Sequence, residues 1–148
     1  MDLRAGQIIT VAWRMHPNDP GQDPQPPEPN KLRPAVVVQN CELFDPAYPT
    51  VLVVPMTGDR ALAMADLTVV LQPSSTNGCR KVSYLLPQNL NCVAKTRITD
   101  ATDCCVTPAE LQQLRQLVVL VIGGFSLRPA MSSTEELITL RRRRCPGG

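Results

Sequence analysis

Two short runs of β-branched residues constrain the fold of this chain more than any other feature. The runs are Ala35–Val38 and Val51–Val54, and turn-forming residues bound each of them. Runs of this kind are typical of strands that are buried on both faces. Arg33 lies just before the first run and Thr57 lies just after the second. Two such strands side by side would hold a guanidinium and a hydroxyl near one point, so we interpret this pair as the candidate chemical site.

Four further segments have the composition of strands. They contain a majority of β-branched or aromatic residues, or alternate between apolar and polar residues, and turn residues separate them. The segments are Gly6–Trp13, Asp66–Leu71, Lys81–Leu86 and Leu90–Ile98. The strands follow one another without intervening helices, which argues against a β-α-β architecture.

One long helix is predicted near the C-terminal end. Thr107 and Glu110 form a capping box with Pro108 at the first helical position, and Gly123–Gly124 ends the pattern. The predicted apolar face contains Leu111, Leu114, Val118 and Val121. The sequence therefore predicts a mainly β (α+β) fold, a small barrel or coiled antiparallel sheet of about five to seven strands with a C-terminal helix laid on it.

Two segments stand apart in composition. Met15–Lys31 contains six prolines and four charges with nothing to bury, so it is interpreted as a long loop inside the domain. We predict a barrel domain over residues 1–124 with this loop at 15–31, followed by a C-terminal extension over residues 125–148. The extension contains a possible short helix from Ser133 or Thr134 and the run Arg141–Arg144.

Charge and aromatic content restrict the partners of the chain. The formal net charge of the 148 residues is +2, but removing residues 141–148 leaves 11 basic against 13 acidic side chains. The body is therefore not a cationic surface, and any polyanion must be held by a few placed arginines or by the tail. Aromatic residues are too few for an extended base-stacking platform.

Metal binding and export are also disfavoured. The six cysteines lack a metal-ligand spacing and the chain has a single histidine, so no metal or other cofactor is expected. The polar start MDLRAG is not followed by an apolar export segment, and Leu117–Ile122 is too short to span a bilayer. We expect a cytoplasmic protein with cysteines in the thiol form.

Several motifs in fixed order resemble those of the MazF/PemK family of bacterial toxins. They are G-x-I-x-x-V at Gly6–Val11, R-P-A-V-V-V at Arg33–Val38, V-P-M-T at Val54–Thr57, and the later T-P-A-E-L-Q-Q-L and V-I-G. The resemblance covers about residues 5–124. It implies an SH3-like barrel, usually a homodimer, that cuts single-stranded RNA without metal. It also implies a cognate antitoxin whose disordered C-terminal segment occupies the active groove.

The resemblance also assigns roles to individual residues. Arg33 matches the catalytic arginine and Thr57 the catalytic threonine or serine. The predicted RNA-binding residues are His16, Lys31, Gln88 and Arg97. Gln88 corresponds to a family glutamine that follows an acidic residue, but Pro87 precedes it here, and the general base stays unassigned.

Other interpretations remain open for the chain and for its parts. A related class of barrel toxins, the CcdB type, binds DNA gyrase instead of cutting RNA, and an inactive barrel could act as a binding module. Taken alone, Arg33 also fits a surface ion pair, and Thr57 fits a turn residue bonded to its own backbone. The proline-rich loop is predicted to gate the RNA groove, with a tolerated insertion as the alternative.

Overall fold

A computed structural model describes residues 1–13 and 32–124 of the chain. It has seven strands and one α-helix: β1 Gln7–Ala12, β2 Leu32–Val37, β3 Thr50–Thr57, β4 Val69–Leu71, β5 Ser83–Leu85, β6 Asn91–Ala94, β7 Ile98–Cys105 and α1 Pro108–Val121. The prediction of a mainly β fold with a C-terminal helix is confirmed. The proline-rich loop and the C-terminal extension with its possible second helix lie outside the described residues.

The strands form one antiparallel sheet centred on β3. The order is β4-β5-β3-β2-β1-β7, with β6 also paired to β3. One edge of β3 pairs with β2, while the other edge pairs with β6 through Thr50–Val53 and with β5 through Met56–Thr57. Within the described part of the chain β4 and β7 do not pair with each other, so the predicted barrel is an open, coiled sheet.

Both faces of the central strands are buried, which explains their unbroken apolar sequence. Successive side chains of a strand point to opposite faces, and on β2 and β3 they enter two different clusters. The helix-side cluster contains Val36, Val54 and Leu114 among its members, and the second cluster contains Ala35, Val37 and Val53. Burial on both faces therefore accounts for the β-branched runs that dominate the sequence.

The polar segment after β5 differs from its prediction. The expected strand Leu90–Ile98 is divided into β6, a 3₁₀ turn at Lys95–Arg97 and the first residue of β7. The polar strand β7, with sequence ITDATDCC, was not predicted at all. It is held mainly through its backbone, which pairs with β1 with two shifts in register, and only one of its eight side chains is buried.

The helix α1 confirms its predicted start and end. Thr107 Oγ1 accepts from the backbone N–H of Glu110 at 3.2 Å, and the Glu110 carboxylate accepts from the N–H of Thr107 at 2.8 Å. Gly123 follows the helix with φ of +77°, a conformation that favours glycine. Leu114 and Leu117 are buried, whereas Val121 of the predicted apolar face is 37% exposed. No helix in residues 1–13 and 32–124 has the length and apolarity needed to cross a membrane.

Candidate active site

The register of β2 and β3 brings Arg33 and Thr57 to one edge of the sheet. Cα partners run from Val37 with Val53 to Ala35 with Pro55. Two residues further along each strand lie Arg33 and Thr57, both still inside β2 and β3. The Cα pairing of β2 with β3 stops before these two residues, but because side chains alternate along a strand, Arg33 and Thr57 lie at the same end of the sheet and on the same face.

Thr57 is held in place by burial and by a turn. Its side chain is 8% exposed, and its Oγ1 accepts a hydrogen bond from the backbone N–H of Asp59 at 3.1 Å. The turn bond expected from the sequence is thus present. A hydroxyl that accepts one hydrogen bond can still donate its own proton. The turn therefore orients Thr57 and leaves its hydroxyl proton available as a donor.

The edge continues on both sides of this pair. Arg33 is exposed and is the Cα partner of Val11 on β1, and Thr57 is the Cα partner of Tyr84 on β5. We call the four positions Val11, Arg33, Thr57 and Tyr84 the edge row. It crosses four adjacent strands, and three of its members carry polar groups that are donors or cations.

Arg97 lies at the same end of the sheet as the edge row. The next residue, Ile98, is the Cα partner of Val11. The Nη1 of Arg97 donates to the backbone carbonyl of Trp13 at 3.4 Å. Its guanidinium is thus anchored where β1 ends. A place for Arg97 along an RNA path at this end remains a prediction.

The other predicted RNA-binding residues divide into two groups. Gln88 lies in a 3₁₀ turn, Pro87–Asn89, that follows the end of β5 remote from the edge row. Its Oε1 is buried and has no hydrogen-bond partner in the described part of the chain. His16 and Lys31 lie outside the described residues, although Lys31 directly precedes β2 in the sequence. Their assignment to RNA binding stays a prediction.

A lysine that no local sequence pattern indicates lies beside the site. A Cβ built on Gly58, the residue after Thr57, would lie 2.5 Å from Cε and 2.6 Å from Nζ of Lys81. The end of the Lys81 side chain therefore covers the turn that follows Thr57. Only the register of β5 on β3 brings the two segments together, so local sequence spacing could not reveal the contact.

A cavity of about 580 Å³ lies at the opposite end of β2 and β3. Its lining includes Cys41 from the connection between these strands, Lys95 and Arg115. Burial raises the pKa of the Cys41 thiol above its ordinary 9.0, although the nearby charges of Lys95 and Arg115 act in the opposite direction. The described residues contain no group of three or more potential metal ligands. The cavity is thus separate from the edge row.

Comparison with known protein families finds one match to most of the chain. The model for the "PemK-like, MazF-like toxin of type II toxin-antitoxin system" matches residues 4–122. This range contains every described residue of the edge row. A search of curated proteins finds no match.

Solved structures with similar folds are distant in sequence. An endoribonuclease in complex with its cognate antitoxin from a mycobacterial species is 19% identical, with a TM-score of 0.59, covering 82% of this chain and 96% of that chain. MazF (Form-I) from Deinococcus radiodurans is 15% identical, with a TM-score of 0.63 and coverage of 83% and 98%. Mycobacterium tuberculosis toxin MazF-mt6 is 14% identical, with a TM-score of 0.58 and coverage of 81% and 99%. At these identities the similarity establishes the fold.

Proposed function

We propose, because the chain belongs to the family of PemK-like, MazF-like toxins of type II toxin–antitoxin systems, that it is an endoribonuclease acting on single-stranded RNA. The observation that supports the proposal is that Arg33 and Thr57 lie on neighbouring paired strands, each two residues beyond the Ala35–Pro55 pair. Structural relatives described as endoribonucleases support it.

The chemistry that fits this pair is an internal transfer at phosphorus. The ribose 2′-oxygen attacks the adjacent phosphorus and loses its proton, while the bond from phosphorus to the 5′-oxygen breaks and that oxygen gains a proton. The products are a 2′,3′-cyclic phosphate and a 5′-hydroxyl. Negative charge grows on the nonbridging oxygens during attack, and a catalyst must stabilise it with donors that are already in position.

Arg33 and Thr57 divide that task. The planar guanidinium of Arg33 presents two parallel N–H donors that match two phosphate oxygens. The hydroxyl of Thr57 adds one neutral donor while its oxygen stays bonded to the N–H of Asp59. Since both residues belong to strands anchored in the core, little reorganisation is needed when the phosphate binds.

We further propose a cytoplasmic homodimer that a cognate antitoxin inhibits. Two of the solved relatives are described as complexes of toxin and antitoxin. The β-branched runs of β2 and β3 are buried within one chain. An apolar surface remains at the end of α1, where Leu120, Val121 and Ile122 are 37–68% exposed. Sedimentation at micromolar concentration tests the dimer, and a monomer would contradict it.

Cleavage of a long single-stranded RNA in the presence of EDTA tests the activity. We expect discrete fragments with 2′,3′-cyclic phosphate and 5′-hydroxyl ends, and far slower cleavage by Arg33→Ala prepared in parallel. RNA bound without cleavage would instead favour an inactive binding module. Intact RNA together with trapped gyrase–DNA complexes would favour a gyrase-binding toxin. Either result would overturn the proposed activity.

A further inference from the structure

The side chain of Lys81 covers the turn after Thr57 and occupies the space that a side chain on Gly58 would fill. The atoms that a Cβ on Gly58 would meet are Cε, Nζ and Cδ of Lys81, at 2.5, 2.6 and 3.5 Å. All three belong to one flexible side chain, so the space above Gly58 is filled by the end of Lys81. Any residue other than glycine at this position would push the ammonium away.

Backbone strain does not explain the glycine. The φ of Gly58 lies outside the left-handed region, in contrast to Gly6, Gly78 and Gly123. An alanine could therefore adopt the same backbone conformation. The absence of a Cβ on Gly58 instead allows the Lys81 side chain to approach closely.

The strand order places this ammonium next to the edge row. Lys81 lies two residues before β5, whose Tyr84 is the Cα partner of Thr57. β5 flanks the end of β3 on one side and β2, with Arg33, flanks it on the other. Thr57 thus ends a strand whose neighbours are β2, which carries Arg33, and β5, which Lys81 precedes.

The ammonium of Lys81 is available to a ligand. Lys81 is exposed, and its side chain makes no hydrogen bond or ion pair with any other residue in 1–13 or 32–124. A cation held by contact with a glycine, and not by a carboxylate, keeps its full charge for an incoming anion. The anion expected at the edge row is the phosphate that Arg33 and Thr57 are proposed to bind.

We propose that Lys81 is a further catalytic residue, whose ammonium donates a hydrogen bond to a nonbridging oxygen of the scissile phosphate. The inference rests on the proposed ribonuclease activity. Arg33 from β2, Thr57 from β3 and Lys81 from the segment before β5 then surround the phosphate. The lysine adds a second full positive charge where the transition state gains negative charge.

The test is a double-mutant cycle on single-turnover cleavage of an RNA that the wild-type protein cuts. Lys81→Ala should slow cleavage about tenfold or more, less than the 10²–10³ typical of a rigid donor because the lysine is exposed and flexible. Gly58→Ala should slow it to a similar degree by displacing the ammonium. The double variant should be no slower than Lys81→Ala, because the two changes remove the same contact.

The adjacent exposed cation Arg80 supplies a matched control, since Arg80→Ala changes the net charge equally. We expect it to cleave near the wild-type rate and all four variants to melt within about 2 °C of the wild type, as surface changes do. If Arg80→Ala and Lys81→Ala slow cleavage equally, the effect comes from net charge alone and the inference is overturned. Additive effects of Gly58→Ala and Lys81→Ala would also overturn it.

Failure of the inference is distinguishable from failure of the proposed function. If the wild-type protein cuts RNA and Arg33→Ala does not, while Lys81→Ala cuts at full rate, only the role of Lys81 is wrong. If the wild-type protein cuts no RNA, the proposed activity itself is wrong, and the role of Lys81 in it is rejected with it.

Discussion

Thr57 and Tyr84 are Cα partners across β3 and β5. This pairing holds the last residue of β3 through the neighbouring strand β5. A residue at a strand end is usually free to fray, whereas burial and pairing with β5 restrain this one. Its hydroxyl is therefore presented in a fixed direction at the end of the sheet that also carries Arg33.

The guanidinium of Arg33 should be irreplaceable. We expect Arg33→Ala to lower the cleavage rate about a hundred- to thousandfold, the usual cost of removing one preorganised donor. Arg33→Lys should fail as well, because an ammonium cannot make two parallel contacts with one phosphate. Single-turnover cleavage measures both. Full activity of Arg33→Lys would contradict the bidentate role.

The hydroxyl of Thr57 should contribute more to RNA cleavage than its methyl group does. Thr57→Ser keeps both the donor and the turn bond to Asp59, so cleavage within a few-fold of wild type is expected. Thr57→Val keeps the shape and removes the hydroxyl, so cleavage should fall about a hundredfold or more. Gel assays on one RNA compare the two variants. Equal activity of Thr57→Val and Thr57→Ser would assign Thr57 to the turn alone.

The helix should be anchored to the sheet chiefly by Leu114. This side chain is fully buried in the helix-side cluster, and Leu114→Ala should lower the free energy of unfolding by about 2–5 kcal/mol. The neighbouring Gln113 is exposed, and Gln113→Ala should change the free energy by less than about 0.5 kcal/mol. Urea unfolding followed by circular dichroism measures both. Equal effects would show that α1 does not depend on this contact.

The thiol of Cys41 should lose its proton at a higher pH than an exposed cysteine does. Burial raises its pKa above 9.0, so its alkylation by iodoacetamide should rise with pH and reach half its maximum above pH 9.0. Because the folded pKa is the higher one, the neutral thiol stabilises the fold at lower pH, and this contribution is lost as pH rises through the folded value. Mass spectrometry of the labelled peptide gives the profile. A midpoint at or below 9.0 would contradict the assignment to burial.

The parts of the fold that the sequence predicts are those whose side chains are buried. The runs in β2 and β3 and the capped start of α1 follow directly from apolar pattern and capping residues. β7 has no such pattern, because backbone pairing with β1 holds a polar strand at the sheet edge. The expected strand at Asp66 begins only at Val69, since Asp66 has a φ of +64° and belongs to a turn.

The same distinction applies to the site. Arg33 and Thr57 could be found because each lies next to a run whose strand assignment is clear. Lys81 could not, since its contact with Gly58 joins residues that are brought together only by the pairing of β5 with β3. The local sequence signal for this contact is the glycine directly after Thr57, and a turn accounts for that glycine equally well.

The position of β3 between the two clusters determines how the molecule can open. Its alternate side chains enter both clusters, and its two edges bond three other strands. Neither cluster can therefore be disrupted while β3 keeps its pairing. Backbone amides in the middle of β3 should exchange with deuterium only through complete unfolding, so their protection reports the stability of the whole domain. A sheet arranged in this way offers proteases few partly open forms, so cleavage within β3 depends on rare global unfolding.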